Sequence, residues 1–527
     1  MRSEETHAGT TIVLNTIKNP MPRKLRWDTH WLYVLIFLCL QAAVQFPIFD
    51  NFLPMLTDYP NHLARMHILL AAGSHADLNT FYEIHWAVLP NLAMDVVVPL
   101  LASFVSLELA GKLFLGLTLL LISSGTCAIY VALHRRISFW PFTVFLLLYN
   151  PIFLFGVVNY LFGIGVGLWG IAAWILLGAT PKWRHFFLFS FISTSLLLCH
   201  LSAFAFYALI VVTYELRRTT HSTKDISRKH AKYILTASLA LPIFLFLMAS
   251  PTSEMKKFDW HSLSPFQYAV ATILSKANLI LGLFLNYNIV LDTISTLVIV
   301  VLVIRGIFSG YLVVHRSMML PIACGSILVL LMPTELFGSS LADKRVMIAL
   351  AFVFTASTDL APNTTRQLRS LLACLFMGLF LVRGGVILYY WKEADILTAS
   401  AIRALNEMPK AKRIFVAFPE DKTHEFSSHF GKFLPCLSII YRFAFVPSLY
   451  SLPGAQPVTL TPQFQSIKAL MPELEIVAGN SPDWVQVLRD YDYVWVAEHA
   501  KFSSFPSRNL SIVASNPHFD LYQVIKK

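Results

Sequence analysis

Apolar runs of about twenty residues recur along the first three quarters of this chain, and about twenty is the length at which a helix crosses the hydrocarbon core of a bilayer. In lipid every backbone N–H and C=O must find its partner within the chain, so each such run is constrained to be a helix. The runs lie near 31–49, 88–107, 111–133, 138–155, 159–178, 186–213, 233–249, 287–313, 318–334, 345–361 and 371–391. They predict a polytopic α-helical membrane protein with about eleven transmembrane helices. The stretch 266–286 is shorter and more broken, and reads as re-entrant or interfacial. Composition agrees: 56% of residues are hydrophobic and 13% charged, where a soluble domain carries about a quarter charged residues.

The net charge of +11 falls beside the apolar runs, as in Arg217, Arg218, Lys224, Arg228, Lys229 and Lys232. That is the pattern of cytoplasmic loops, and it argues against a nucleic-acid partner. The segment 1–30, with Arg23, Lys24 and Arg26, reads as a cytoplasmic N-terminus, and the run after it lacks the small-residue site of a cleaved signal peptide. With the N-terminus inside, 214–232, Arg316, Arg366 and Arg369 also fall inside. Arg135 and Arg136 fall outside in this count, as do Lys182 and Arg184, against the charge rule. The expected location is the cell or inner membrane. Three external segments follow, at 50–87, 250–286 and 335–344, with 31–391 as the transmembrane domain. Five of the six cysteines lie in apolar runs and one, Cys436, lies beyond them, so no disulfide framework is expected.

Residues 392–527 differ in composition and read as a small extracytoplasmic α/β domain. Strands are expected at Lys412–Phe418 and Tyr491–Ala497, a short helix at Pro482–Asp490, and a closing hairpin from Leu510–Ala514 and Phe519–Ile525. The segment 447–463, with Pro447, Pro453, Pro457 and Pro462, reads as an extended loop.

Three groups of residues carry chemistry. The first is Thr57-Asp58-Tyr59-Pro60-Asn61-His62-Leu63-Ala64-Arg65. Pro60 suits a first helical turn and Gly73 a stop. The helix between them is expected to lie along the membrane surface, with Leu63, Met66 and Leu70 facing down. His62 and Arg65 share a face. Asp58, at its entrance, reads either as a cap or as a reactive carboxylate at the lipid–water boundary. The second group is Asp343-Lys344-Arg345, whose cations suit a phosphate or act as snorkelling anchors. The third lies at membrane depth. Asn159 and Tyr160 precede Gly163 and Gly167, a spacing for close helix packing. His200 is expected deep in the span 186–213. Asp95 and Asp292 lie in or near spans, and ionisable groups there are candidate sites. Walker, G-x-S-x-G and H-E-x-x-H motifs are absent, and Asp58, His62, His67 and Glu83 match no strong metal template.

With these residues in view, the chain resembles the GT-C superfamily of membrane glycosyltransferases. Members have a cytoplasmic N-terminus, a long first external loop with an acidic residue soon after the first span, a late basic external loop and often a C-terminal external domain. The resemblance implies a polyprenyl-phosphate-linked sugar donor, a glycan or lipid acceptor, and inversion at the sugar carbon. Asp58 would be the catalytic base, with His62, Arg65, Asp343, Lys344 and Arg345 on the donor phosphate or substrate. Asn159, Tyr160 and His200 remain an intramembrane candidate site. Many members carry paired acids where this chain has the single Asp58, so no cofactor is assigned and a divalent cation is left open. Two other readings stay open: a transporter or flippase of a lipid-linked molecule, and a non-catalytic scaffold of envelope biogenesis.

Overall fold

The structure is a computed structural model, and it describes residues 27–71, 73–178, 182–219, 226–249, 276, 279–280, 282–334, 336, 341–419, 431–470, 475–476, 482–497 and 505–526. Arg23, Lys24, Arg26, Lys224, residues 250–275 and most of 335–340 lie outside them, as does most of the expected interfacial stretch 266–286. The protein is mostly helical. Among the described residues five helices are long and apolar enough to cross a membrane: α1 (Trp27–Asp50), α5 (Leu107–His134), α7 (Val158–Leu177), α11 (Ile289–Phe308) and α14 (Arg366–Asn406). Further helices complete the bundle: α8 (Trp183–Cys199), α9 (Leu201–Thr219), α10 (Ile226–Ala249), α12 (Met319–Leu331) and α13 (Ala342–Ser357). Between α5 and α7 the chain runs as a 3-10 segment, Trp140–Leu147, followed by the short α6 (Pro151–Phe155).

Glycines set the close packing of the centre. A Cβ on Gly165 of α7 would stand 2.6 Å from the Leu121 Cβ of α5, and one on Gly125 would stand 2.8 Å from the Leu168 Cβ. On the other face of α7, Gly163 lies against Ala203 and Cys199, and Gly167 against Leu196 and Tyr207. The Gly163–Gly167 spacing is thus a packing seam.

The same contacts fix helix directions. Gln45 reaches Gly116 and Ser123 reaches Gln41, so α1 and α5 are antiparallel. Phe114 stacks on Phe162 while Gly125 meets Leu168, so α5 and α7 are parallel. Two expected spans are corrected. The run 88–107 forms only the ten-residue α4 (Ala93–Ala102), roughly 15 Å long at 1.5 Å per residue, half the hydrocarbon thickness. Its start is tied by Met94 N–H to Asn159 Oδ1, and α5 begins again at that same face. The run 186–213 is two helices, not one. Gly163, Gly167 and Gly170 meet Cys199, Leu196 and Ile192 in falling order on α8. Gly163, Gly167 and Trp174 meet Ala203, Tyr207 and Glu215 in rising order on α9. The pair is a hairpin whose tip is the extended residue His200.

Losing one crossing and gaining another moves the loops that disobeyed the charge rule. Arg135 and Arg136, Lys182 and Arg184, and Arg217 and Arg218 now all stand at the helix ends opposite His200. Arg136 pairs there with Asp359, and the two-stranded ribbon β2 (Leu312–Val314) with β3 (Thr358–Leu360) lies at the same ends.

Helix α2 (Tyr59–Ala71) also departs from expectation. Both faces are buried, including Asn61, His62 and Arg65, so it lies inside the protein and not flat on the membrane. It is covered by the segment beyond α14. That 41-residue helix is about 60 Å long, twice the hydrocarbon thickness of about 30 Å. Where it passes the end of α1, Asp395 accepts from Phe52 N–H at 2.9 Å and Lys392 meets Asp50 at 2.8 Å. Beyond lies a five-stranded sheet of β4 (Ile414–Pro419), β6 (Glu475–Ile476), β7 (Tyr493–Ala497), β8 (Leu510–Asn516) and β9 (Phe519–Val524), in the order β6-β4-β7-β9-β8. Strand β4 is parallel to β6 and β7, while β7, β9 and β8 are antiparallel. The first loop is tied to this lobe by β1 (Tyr82–Ile84), antiparallel to β5 (Val458–Leu460).

In a cysteine-free background, single cysteines at positions 135, 182 and 217 are expected to react with a membrane-impermeant maleimide from one side only. A cysteine at Asp77 should react from the other. Labelling of positions 182 and 217 from opposite sides would refute the hairpin.

Candidate functional site

The site is assembled around a short crossing of two loops. Residues 56–59 leave α1 in a tight turn, with Leu56 N–H donating to Pro54 O and Tyr59 N–H to Leu56 O. Thr57 N–H and Asp58 N–H then donate to Leu154 O and Phe155 O, both at 3.0 Å. Those carbonyls close α6, which Asn150 caps by accepting from Ile152 and Phe153 N–H. Gly156 ends the helix at φ +94, and a Cβ there would lie 2.9 Å from the Asp58 Cβ. Both the left-handed backbone and the close approach demand glycine.

One turn on, His62 Nε2 lies 3.1 Å from Gly156 O. A carbonyl only accepts, so Nε2 carries the proton. Burial, and then the Arg65 charge, hold the ring down at about 3, so His62 brings no charge to a phosphate at neutral pH. Four residues after Gly156, the Tyr160 hydroxyl donates to Arg345 O at 2.7 Å. The Arg345 guanidinium stands 5.9 Å over the Tyr160 ring, with Nη1 3.2 Å from His200 Nε2. Ser202 N–H reaches the other nitrogen of His200 at 3.1 Å. A neutral imidazole has one acceptor nitrogen, so in any one tautomer His200 accepts from Arg345 or from Ser202, not both.

Asp58 is buried, and burial pushes its carboxyl up to about 7 against the pull of Lys432, Tyr450, Arg345 and Arg65. Its carboxylate accepts from the Tyr450 hydroxyl at 3.4 Å. Asp58 and Arg345 are thus both tied to residues 156–160, the acid by packing on Gly156 and the arginine through Tyr160, and the Arg345 charge pulls on the Asp58 carboxyl.

The other sequence candidates are placed differently. Arg65 donates from Nε and Nη2 to Asp95 at 2.7 and 3.1 Å, with both side chains fully buried. Asp343 accepts from Lys276 Nζ at 2.7 Å and from Thr334 at 3.3 Å, anchoring the start of α13. Lys344, beside it, is half-buried. Asn159 fastens residues 91–94 to α7. Asp292 pairs with Arg383 at 2.6 Å. Asp95 and Asp292, the acids of the transporter reading, are thus each matched by an arginine. Among the described residues no three His, Cys, Asp or Glu side chains gather to hold a metal. His200 lies at a hairpin tip beside the site, not in mid-span.

Sequence reasoning missed Gly156, Asn61, Lys432 and Tyr450. Asn61 stood inside the quoted motif and Gly156 between two apolar runs. Nothing local marks Lys432 or Tyr450, because their role depends on the chain's return over the membrane.

The fold is similar to the crystal structure of ArnT from Cupriavidus metallidurans in the apo state, at 12% sequence identity and a TM-score of 0.48, covering 94% of this chain and 98% of that one. The likeness is remote, like the GT-C resemblance of the sequence, and no residue or activity is carried over from it. No family model and no curated protein matches the chain.

Gly73 and Gly156 both have positive φ, but a Cβ on Gly73 meets nothing within 4 Å. Gly73→Ala is expected to cost about 1 kcal/mol, the backbone strain alone. Gly156→Ala should cost at least about 1–3 kcal/mol more, from collision with Asp58. Thermal unfolding in detergent compares them, and equal losses would refute the close approach.

Proposed function

We propose that this protein is a membrane glycosyltransferase that moves a sugar from a polyprenyl-phosphate-linked donor to an extracytoplasmic acceptor hydroxyl, with inversion. What supports the reading is that Asp58 and Arg345 are both tied to residues 156–160, with the arginine charge pulling on the carboxyl. Transfer needs a base for the hydroxyl and a cation for the departing phosphate, and little else.

In this mechanism an Asp58 oxygen takes the acceptor proton as the acceptor oxygen attacks the anomeric carbon. The bond from that carbon to the phosphate oxygen breaks, and its electron pair leaves on the phosphate. The carbon passes through an oxocarbenium-like state, and one displacement from the opposite face inverts it. Phosphate is a good leaving group and needs no acid, but the charge gathering on its oxygens needs a fixed cation. Arg345 takes that role, with Lys344 as a second contact. Tyr160 and His200 hold the guanidinium, while Asp343 anchors the helix start behind it. His62 steadies the Gly156 turn as a neutral donor. Arg65, tied to Asp95, acts on Asp58 through space.

The proposed topology has eleven crossings: α1, α5, the 140–155 segment, α7 to α10 and α11 to α14. Basic ends at 135–136, 182–184 and 217–218 lie in the cytoplasm. Asp58 and the lobe beyond α14 lie outside the cell or inner membrane.

The test uses the full chain in nanodiscs with radiolabelled sugars on polyprenyl phosphate and a membrane lipid extract as acceptor. Asp58→Asn is expected to lower transfer by about 10²–10⁴-fold, and Arg345→Met by about 10²–10³-fold. The base must be ionised, so the wild-type rate should rise with pH through about 7. Undiminished transfer by Asp58→Asn would end the proposal.

A further inference from the structure

The lobe beyond α14 does more than cover the site. Asn61, fully buried on the first turn of α2, grips a loop of the lobe at two points. Its Nδ2 donates to Ser448 O at 2.7 Å, and its Oδ1 accepts from Tyr450 N–H at 3.1 Å. Between them Ser448 Oγ lies 3.6 Å from Cys436 Sγ, and Lys468 Nζ donates to Leu449 O at 2.9 Å. The loop 448–450 is thereby pinned one helical turn from Asp58. From it the Tyr450 hydroxyl reaches Asp58 Oδ1, and the Tyr450 ring packs on Phe433 with centroids 5.3 Å apart. Lys432 Nζ stands 5.7 Å over that same Phe433 ring. A phenol and an ammonium thus pack against one aromatic ring.

We infer that Tyr450 and Lys432 are positioning residues for Asp58, delivered by the Asn61 latch from a stretch of chain almost four hundred residues away, and that they favour its charged form. The inference rests on the reading of Asp58 as the base. The physical reason is that a carboxylate taken out of water stays protonated unless donors and cations favour its charged form. Among the described residues a handful of other groups act on Asp58. Arg345 approaches from α13 and Arg65 from α2, the latter already paired with Asp95. Neutral His62 is held by Gly156, and Cys436 lies behind the latch. Among the pulls on the carboxyl, those of Lys432 and Tyr450 are the largest.

The experiment is a pH titration of the full chain in nanodiscs by infrared difference spectroscopy. The protonated-carboxyl band of Asp58 is assigned by its disappearance in Asp58→Asn. Tyr450→Phe and Lys432→Gln are each expected to raise the midpoint by about one pH unit, a roughly tenfold change in proton affinity. Lys432→Arg should restore it. Lys432 is half-exposed, so its variants keep the test alive if Tyr450→Phe does not fold. Equal midpoints in wild type, Lys432→Gln and any folded Tyr450→Phe would overturn the inference. The readout needs no substrate: failed transfer chemistry would leave this titration standing, and a failed titration would leave transfer standing.

Discussion

The contact between Gly156 and Asp58 is the constraint on which the site depends. A helix that enters the membrane must begin somewhere, and here α7 begins immediately beyond a left-handed glycine. Because that residue has no side chain, the opening loop can press its backbone against the turn and hang two amides on the carbonyls of α6. The carboxylate is then fixed relative to α7 and not to a mobile loop. Everything else in the site is referred to the same few residues: His62 through the glycine carbonyl, and Arg345 through the hydroxyl of Tyr160.

The interior follows one rule, that a charge taken out of water must be matched. Arg65 with Asp95, Arg383 with Asp292 and Lys276 with Asp343 are all buried and all closely paired. Breaking one such pair leaves an uncompensated charge and costs about 3–5 kcal/mol. Asp58 is held differently. It is buried, with cations near it and a phenol on one oxygen, yet among the described residues no cation closes an ion pair with it. Burial therefore dominates its protonation. An acid left poised in this way is suited to exchanging protons, whereas the paired acids are suited to holding helices together.

Most helices were legible because an apolar run of membrane length has one way to satisfy its backbone. The errors were of two kinds. Hydropathy cannot see a hairpin turn made by a residue as ordinary as His200, because the residues on either side are equally apolar. It also counts 88–107 as a crossing although its helix is too short and returns to its own face. The charge rule had registered both mistakes, in the arginines and lysines that fell on the wrong side. Of the candidate site, Asp58, His62 and Arg345 stood out in the sequence because ionisable residues are scarce at membrane boundaries. Tyr450 and Lys432 could not, since their neighbours in sequence are unremarkable and only the tertiary return brings them near. The flat-lying α2 was misread for a similar reason. Its apolar stripe was real, but a second surface was waiting to bury the polar side as well.

The pairing of Tyr82–Ile84 with Val458–Leu460 has a consequence for biosynthesis. A membrane protein is threaded into the bilayer in chain order, and the strand that completes this ribbon is made about 370 residues after its partner. Until it arrives, the opening loop has no partner edge, and the latch on Asn61 has nothing to close upon. The half-made chain thus carries Asp58 without its cover until residues 448–460 have been translated.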